Sequence, residues 1–103
     1  MIEKISIVIP VHDEEKRISP TLDRYLLFLE NAVKDRILKD YEIITIINNT
    51  YDRSEEIIKE YQLLNVPLRC IRFHEGGKGF AVMKGFEEAL KGDSRFIGFV
   101  DAD

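Results

Sequence analysis

A chain of 103 residues with 45% hydrophobic and 33% charged side chains has the composition of one soluble globular domain, outside the range of disordered segments. Its net charge of −4 comes with scattered Lys and Arg, so the basic stripe of a nucleic-acid binder is missing and no nucleic-acid partner is expected. The lone cysteine, Cys70, excludes an internal disulfide and reads as a small buried side chain; no apolar run reaches the ~20 residues of a membrane span and the amino terminus has no secretory pattern, so a cytoplasmic protein is expected.

In chain order, Ile5-Ser6-Ile7-Val8-Ile9 is a β-branched run closed by Pro10, the pattern of a buried strand that ends there. Ser19-Pro20 supplies a helix N-cap followed by proline at the first helical position. Leu22, Leu26, Leu29, Val33 and Ile37 then recur at helical spacing and share one face of a long helix. A second strand covers Tyr41 to Ile47. Asp52 with Glu55 has the form of a capping box, opening a helix that runs through about Leu63. Pro67 introduces a third strand from Leu68 to Phe73, and the loop His74-Glu75-Gly76-Gly77-Lys78-Gly79 follows. Val82, Phe86 and Leu90 mark the buried face of a third helix, Gly92 suits its C-terminal cap, and a fourth strand runs from Phe96 to Val100.

Strands that are apolar on both faces and alternate with helices predict an α/β fold: a parallel sheet covered on both faces, joined by right-handed crossovers. Ligands of such sheets bind beyond the carboxyl ends of the strands. Four polar clusters follow strand ends here: His12-Asp13-Glu14-Glu15, Asn48-Asn49, Gly76-Gly77-Lys78-Gly79 and Asp101-Ala102-Asp103. Together they predict a single site.

Asp101 and Asp103 stand two apart at the end of a strand, so both carboxylates point to one side, where a hard cation such as Mg2+ or Mn2+ is held by carboxylate and phosphate oxygens. For an isolated pair of this spacing the default reading is a polar strand end facing water. The glycine loop fails the dinucleotide fingerprint, because Val82 stands at the third glycine, and fails the P-loop pattern, because Gly79 follows Lys78. What remains is a lysine at the amino end of a helix, which attracts anions, or an ordinary glycine turn. Asp13 and Glu15 read as solvated turn acids. His12 is a base-stacking or hydrogen-bonding residue or an exposed loop imidazole, and neither His12 nor His74 has partners at zinc spacing.

The segments Val8 to Glu15, Ile46 to Asp52, Gly77 to Phe86 and the closing Asp101-Ala102-Asp103 resemble, in order and spacing, the landmarks of family 2 glycosyltransferases. These are inverting enzymes of the GT-A fold that take a sugar from a nucleotide diphosphate donor. Gly77-Lys78-Gly79-Phe80-Ala81-Val82-Met83-Lys84-Gly85-Phe86 most resembles the dolichyl-phosphate mannosyl- and glucosyltransferases. The resemblance implies a Rossmann-like half-domain with strand order 3-2-1-4 and helices on both faces, one nucleotide-sugar-binding domain over residues 1–103, truncated at the D-x-D motif. It implies nucleotide contacts from Pro10, Val11, His12, Glu14, Asn48, Asn49, Lys78 and Asp101, and a Mg2+ or Mn2+ ion on Asp101 and Asp103. The donor would be UDP- or GDP-linked and a polyprenyl phosphate is among the acceptors. The catalytic base is expected downstream of this chain, so the 103 residues alone are expected to be inactive.

Two departures stand out: Ile47-Asn48-Asn49-Thr50, which lacks an aspartate, stands where Asp-Asp-Gly-Ser or Asp-Asn-Gly-Ser is common, and His12-Asp13 replaces Tyr-Asn. Two other readings stay open, a non-catalytic nucleotide-binding or interaction module derived from a transferase, and a nucleotidyltransferase-like domain. Strand four is expected at an uncovered sheet edge through which copies of the chain associate.

Overall fold

The computed structural model describes residues 1–102; Asp103, expected as a metal ligand, lies outside the described residues. The elements are β1 (Ile2–Val11), α1 (Ile18–Lys34), β2 (Leu38–Asn48), α2 (Ser54–Gln62), β3 (Leu68–Phe73), α3 (Lys78–Leu90) and β4 (Phe96–Phe99). All strand pairs are parallel and the order is β3-β2-β1-β4, as expected. Every connection is therefore a crossover through a helix. The register sets Val8 beside both Ile44 and Phe99 and sets Asn48 beside Phe73, so all four strands end at one rim.

The two central strands are apolar on both faces because helices cover both. On one face Ile9, Val11, Ile43 and Ile47 pack with Ile18, Leu22 and Leu29 of α1 and Ile58 of α2. On the other, Val8, Ile44 and Ile46 meet Ala81 and Ala89 of α3. Burying each large side chain of this kind contributes about 1.5–3 kcal/mol relative to exposure. The outer strands are thinner in contacts. β4 pairs only with β1, and Phe96 and Phe99 on it remain exposed.

Four local expectations need correction. Helix α1 begins at Ile18 rather than at a Ser19 cap: the Glu14 carbonyl accepts the N–H of both Arg17 and Ile18. Pro20 then falls within the first turn, where a missing N–H breaks no helical bond. Ile37 is not on the helix, which ends at Lys34; Arg36 turns the chain with φ +61°, and Ile37 is exposed.

The capping box does not form. Asp52 Oδ1 accepts the Ser54 N–H at 2.9 Å, and Glu55 turns instead to Arg72 on β3. On α3 the buried stripe is Ala81, Gly85 and Ala89, while Val82 and Phe86 flank it and Leu90 is exposed. Close approach explains the shift, since a Cβ on Gly85 would lie 2.2 Å from Val8 Cγ1. Gly92 follows α3 and donates its N–H to the Ala89 carbonyl at 3.1 Å. Among the described residues no helix is long and apolar enough to cross a membrane.

Candidate functional site

A cleft of about 460 Å³ opens along the rim where the strands end. Its lining includes all eight residues expected to contact nucleotide: Pro10, Val11, His12 and Glu14 after β1, Asn48 and Asn49 after β2, Lys78 at the start of α3, and Asp101 after β4. Gly76, Gly77 and Ala102 complete it. Four chain segments, distant in sequence, thus meet because parallel strands deliver their carboxyl ends to the same side.

The loops after β1 and β2 are laced together. Thr50 is buried, and its hydroxyl lies 3.2 Å from the Val11 carbonyl and 3.0 Å from that of Asn48 while accepting the Asp13 N–H at 3.3 Å. Asp13 Oδ1 accepts the Tyr51 N–H at 2.9 Å, Ser54 Oγ accepts the Glu14 N–H at 2.8 Å, and Asp52 Oδ2 accepts the Glu15 N–H at 3.1 Å. Asp13 and Asn49 adopt φ of +49° and +46°, a region that Asn and Asp tolerate better than most residues. From β3, Arg72 donates to the Thr50 carbonyl at 3.2 Å and to Glu55 at 2.8 Å, bracing the lace from behind.

These contacts set the local electrostatics. Burial pushes the Asp52 carboxyl up, but hydrogen bonds from the Ser54 hydroxyl and the N–H groups of Ser54 and Glu15 outweigh it and hold the group below the usual carboxylate range. The Arg72 hydrogen bond holds Glu55 low against the opposing effect of burial. Thr50, Asp52, Ser54 and Arg72 were not among the expected site residues. The signal available was the run of short polar side chains after β2, although Asp52 alone reads as a helix cap.

The expected ligand contacts are partly engaged within the protein. Asn48 Nδ2 and Asn49 Nδ2 both donate to the Gly76 carbonyl, at 2.7 and 2.9 Å. Gly76 has φ +84° and a Cβ there would lie 2.3 Å from Phe80, so only glycine fits this turn. His12 Nδ1 lies 3.2 Å from the Asn48 carbonyl; because that oxygen only accepts, Nδ1 carries the proton. The Glu14 carboxylate pairs with Arg17. Cys70 stands away from the cleft, and burial pushes its thiol up, which fits a structural role.

Lys78 and Asp101 face each other across the cleft and form an ion pair, with the Lys78 ammonium also 6.0 Å above the Phe99 ring. Both side chains are about half exposed. The chain after Asp101 is anchored by Thr21, whose hydroxyl donates to the Ala102 carbonyl at 2.5 Å. Among the described residues no group of three or more His, Cys, Asp or Glu side chains gathers around a metal position. The donor chemistry at Asp101 nevertheless suits a hard cation, which needs only one or two carboxylates when phosphate oxygens supply the rest.

Known proteins resemble this chain in sequence and in fold. The chain is 32% identical over 97 residues to a dolichyl-phosphate beta-glucosyltransferase from Trichomonas vaginalis, covering 93% of this chain and 28% of that protein. It is 33% identical over 108 residues to an undecaprenyl-phosphate 4-deoxy-4-formamido-L-arabinose transferase from Aeromonas hydrophila, covering 99% of this chain and 29% of that protein. The chain thus spans less than a third of the length of these relatives. Mannosyltransferase PcManGT from Pyrobaculum calidifontis, solved in complex with GDP-Man and Mn2+, matches over 96% of this chain and 27% of its own, with TM-score 0.77 and 15% identity. TarS from S. aureus in complex with UDP matches over 97% of this chain and 27% of its own, with TM-score 0.62 and 19% identity. At such identities the likeness is one of fold, the GT-A fold. Residues 6–103 match the model of Glycosyl transferase family 2, and the chain belongs to that family.

Proposed function

We propose that this chain is the donor-binding part of a glycosyltransferase that moves a sugar from a nucleoside diphosphate to a polyprenyl phosphate, acting in the cytoplasm. The observation that carries the reading is the convergence of apolar, amide, cationic and acidic residues on one cleft at the strand ends. Pro10 and Val11 form a wall for the nucleoside, and the side-chain oxygens of Asn48 and Asn49 accept hydrogen bonds from base or ribose. Lys78 and the N–H groups at the start of α3 hold the diphosphate, where a helix N-terminus favours negative charge. Asp101, with Asp103, holds Mg2+ or Mn2+. When bound, that cation neutralises charge on the departing diphosphate. A polyprenyl phosphate acceptor is suggested by the two curated relatives, both named for polyprenyl-phosphate chemistry.

A second reading, a nucleotide-binding module without transfer chemistry, is favoured by one observation: Asn48, Asn49 and Glu14 are engaged in supporting the loops themselves. Calorimetric titration of the chain with UDP and GDP, with and without Mn2+, separates the two. The donor-site reading expects one of the two nucleotides to bind in a Mn2+-dependent manner and Asp101→Ala to weaken it. Metal-independent binding that survives Asp101→Ala favours the second reading. If neither nucleotide binds under any condition, both are wrong.

A further inference from the structure

Helix α3 begins with a local contradiction. Its first residue is Lys78 and its first turn contains no acid, so a cation sits at the positive end of the helix dipole. Cations are disfavoured there and anions favoured, by a few tenths to about 1 kcal/mol. The anion that answers this positive end comes from the other side of the cleft, as the Asp101 carboxylate.

We infer that Lys78 and Asp101 are mutual placeholders, and that exchanging them for ligands couples nucleotide binding to cation binding. The inference rests on the donor-site reading above. Asp101 occupies the position of an anion beside Lys78, and Lys78 occupies that of a cation beside Asp101. A divalent ion approaching Asp101 by itself meets the like charge of Lys78. A diphosphate approaching Lys78 by itself meets the like charge of Asp101. When both arrive, Lys78 turns to the phosphates and the metal takes its place beside Asp101, so that every charge finds an opposite partner.

The structure leaves room for the exchange. The lysine ammonium sits on a flexible four-carbon stem. On either side, a Cβ added to Gly77 or Gly79 would meet no atom within 4 Å, so no side chain crowds the flanking backbone. Asp101 differs in that Thr21 anchors the carbonyl of the next residue, Ala102, to α1. Lys78 is therefore the moving member. It acts as a positioning residue for the metal, through Asp101.

Coupling of this kind is reciprocal: the factor by which nucleotide tightens the cation equals the factor by which the cation tightens nucleotide. Mn2+ binding to the chain, read by the electron paramagnetic resonance of free Mn2+, is measured with and without the nucleotide identified by titration, UDP or GDP. Wild type is expected to bind Mn2+ alone weakly and about tenfold more tightly with nucleotide. Lys78→Met is expected to bind Mn2+ alone more tightly than wild type and to lose most of the enhancement. Lys78→Arg restores it. Asp101→Asn abolishes the gain made by Lys78→Met.

Equal affinity of wild type and Lys78→Met for Mn2+ alone overturns the inference while leaving nucleotide binding standing. So does an enhancement by nucleotide that survives Lys78→Met unchanged. Failure of the donor-site reading looks different: neither UDP nor GDP binds with or without Mn2+, and then the coupling proposal falls as well. Both lysine variants replace a half-exposed side chain, and circular dichroism checks that they remain folded.

Discussion

The two sides of the cleft are held in different ways. The loops after β1 and β2 are fastened by hydrogen bonds between segments, with buried Thr50 at the centre and Asp52, Ser54 and Arg72 around it. The side formed by α3 and the end of β4 meets through the ion pair of two half-exposed side chains, Lys78 and Asp101, around a glycine turn. Several directional hydrogen bonds gathered around one buried hydroxyl define one arrangement, whereas an exposed ion pair gains little and rearranges easily. The contrast suits a site in which one wall fixes shape and the other responds to charge.

The sharpest test of this contrast is Asp52→Ala, which removes the acceptor for the Ser54 N–H, the Ser54 hydroxyl and the Glu15 N–H. It is expected to cost about 2 kcal/mol, and to lower the midpoint of thermal unfolding by about 10 °C. A loss below about 0.5 kcal/mol would mean that the lace is decorative.

Acid comes next in size. The folded-state carboxyls of Asp52 and Glu55 are held below their ordinary range, so their contribution to stability is fully present above the unfolded carboxylate values near about 4 and is lost as pH falls through the lower folded values. Urea unfolding followed from pH 6 down to pH 3 should show this decline, and Asp52→Asn should flatten it. An unchanged slope in that variant would assign the acid sensitivity elsewhere.

The smallest expected effect lies on the other wall. Lys78→Met and Asp101→Asn should each change stability by less than about 1 kcal/mol, and added salt should shrink even that. A loss equal to that of Asp52→Ala would erase the distinction between a fixed and a responsive wall.

Much of the fold was legible because its strands carry a strong local signature. Ile5 to Ile9 and Tyr41 to Ile47 carry apolar residues on both faces, with only Ser6, Glu42 and Thr45 polar, which demands cover on both faces, and the observed strands contain both runs. The third strand runs over the expected Leu68 to Phe73. The third helix misled for a physical reason: two adjacent stripes, Ala81-Gly85-Ala89 and Val82-Phe86-Leu90, share one helical period. Side-chain size favours the second, and the tight approach of α3 to Val8 selects the first. Likewise Asp52 and Glu55 match a capping pattern, but Arg72, a neighbour only after β3 pairs with β2, draws Glu55 away.

What the amino-acid order determined alone was the alternation of buried strands and helices, and with it the delivery of four polar segments to one rim. That information is local, carried by runs of apolar residues and the polar residues that end them. Only the tertiary structure decided which polar groups satisfy one another there: Thr50 with Val11, Ser54 with Glu14, Asn48 with Gly76, Lys78 with Asp101. Hydrogen bonds and ion pairs act over a few ångströms in space, and residues separated by more than twenty positions have no such relation until the sheet is built.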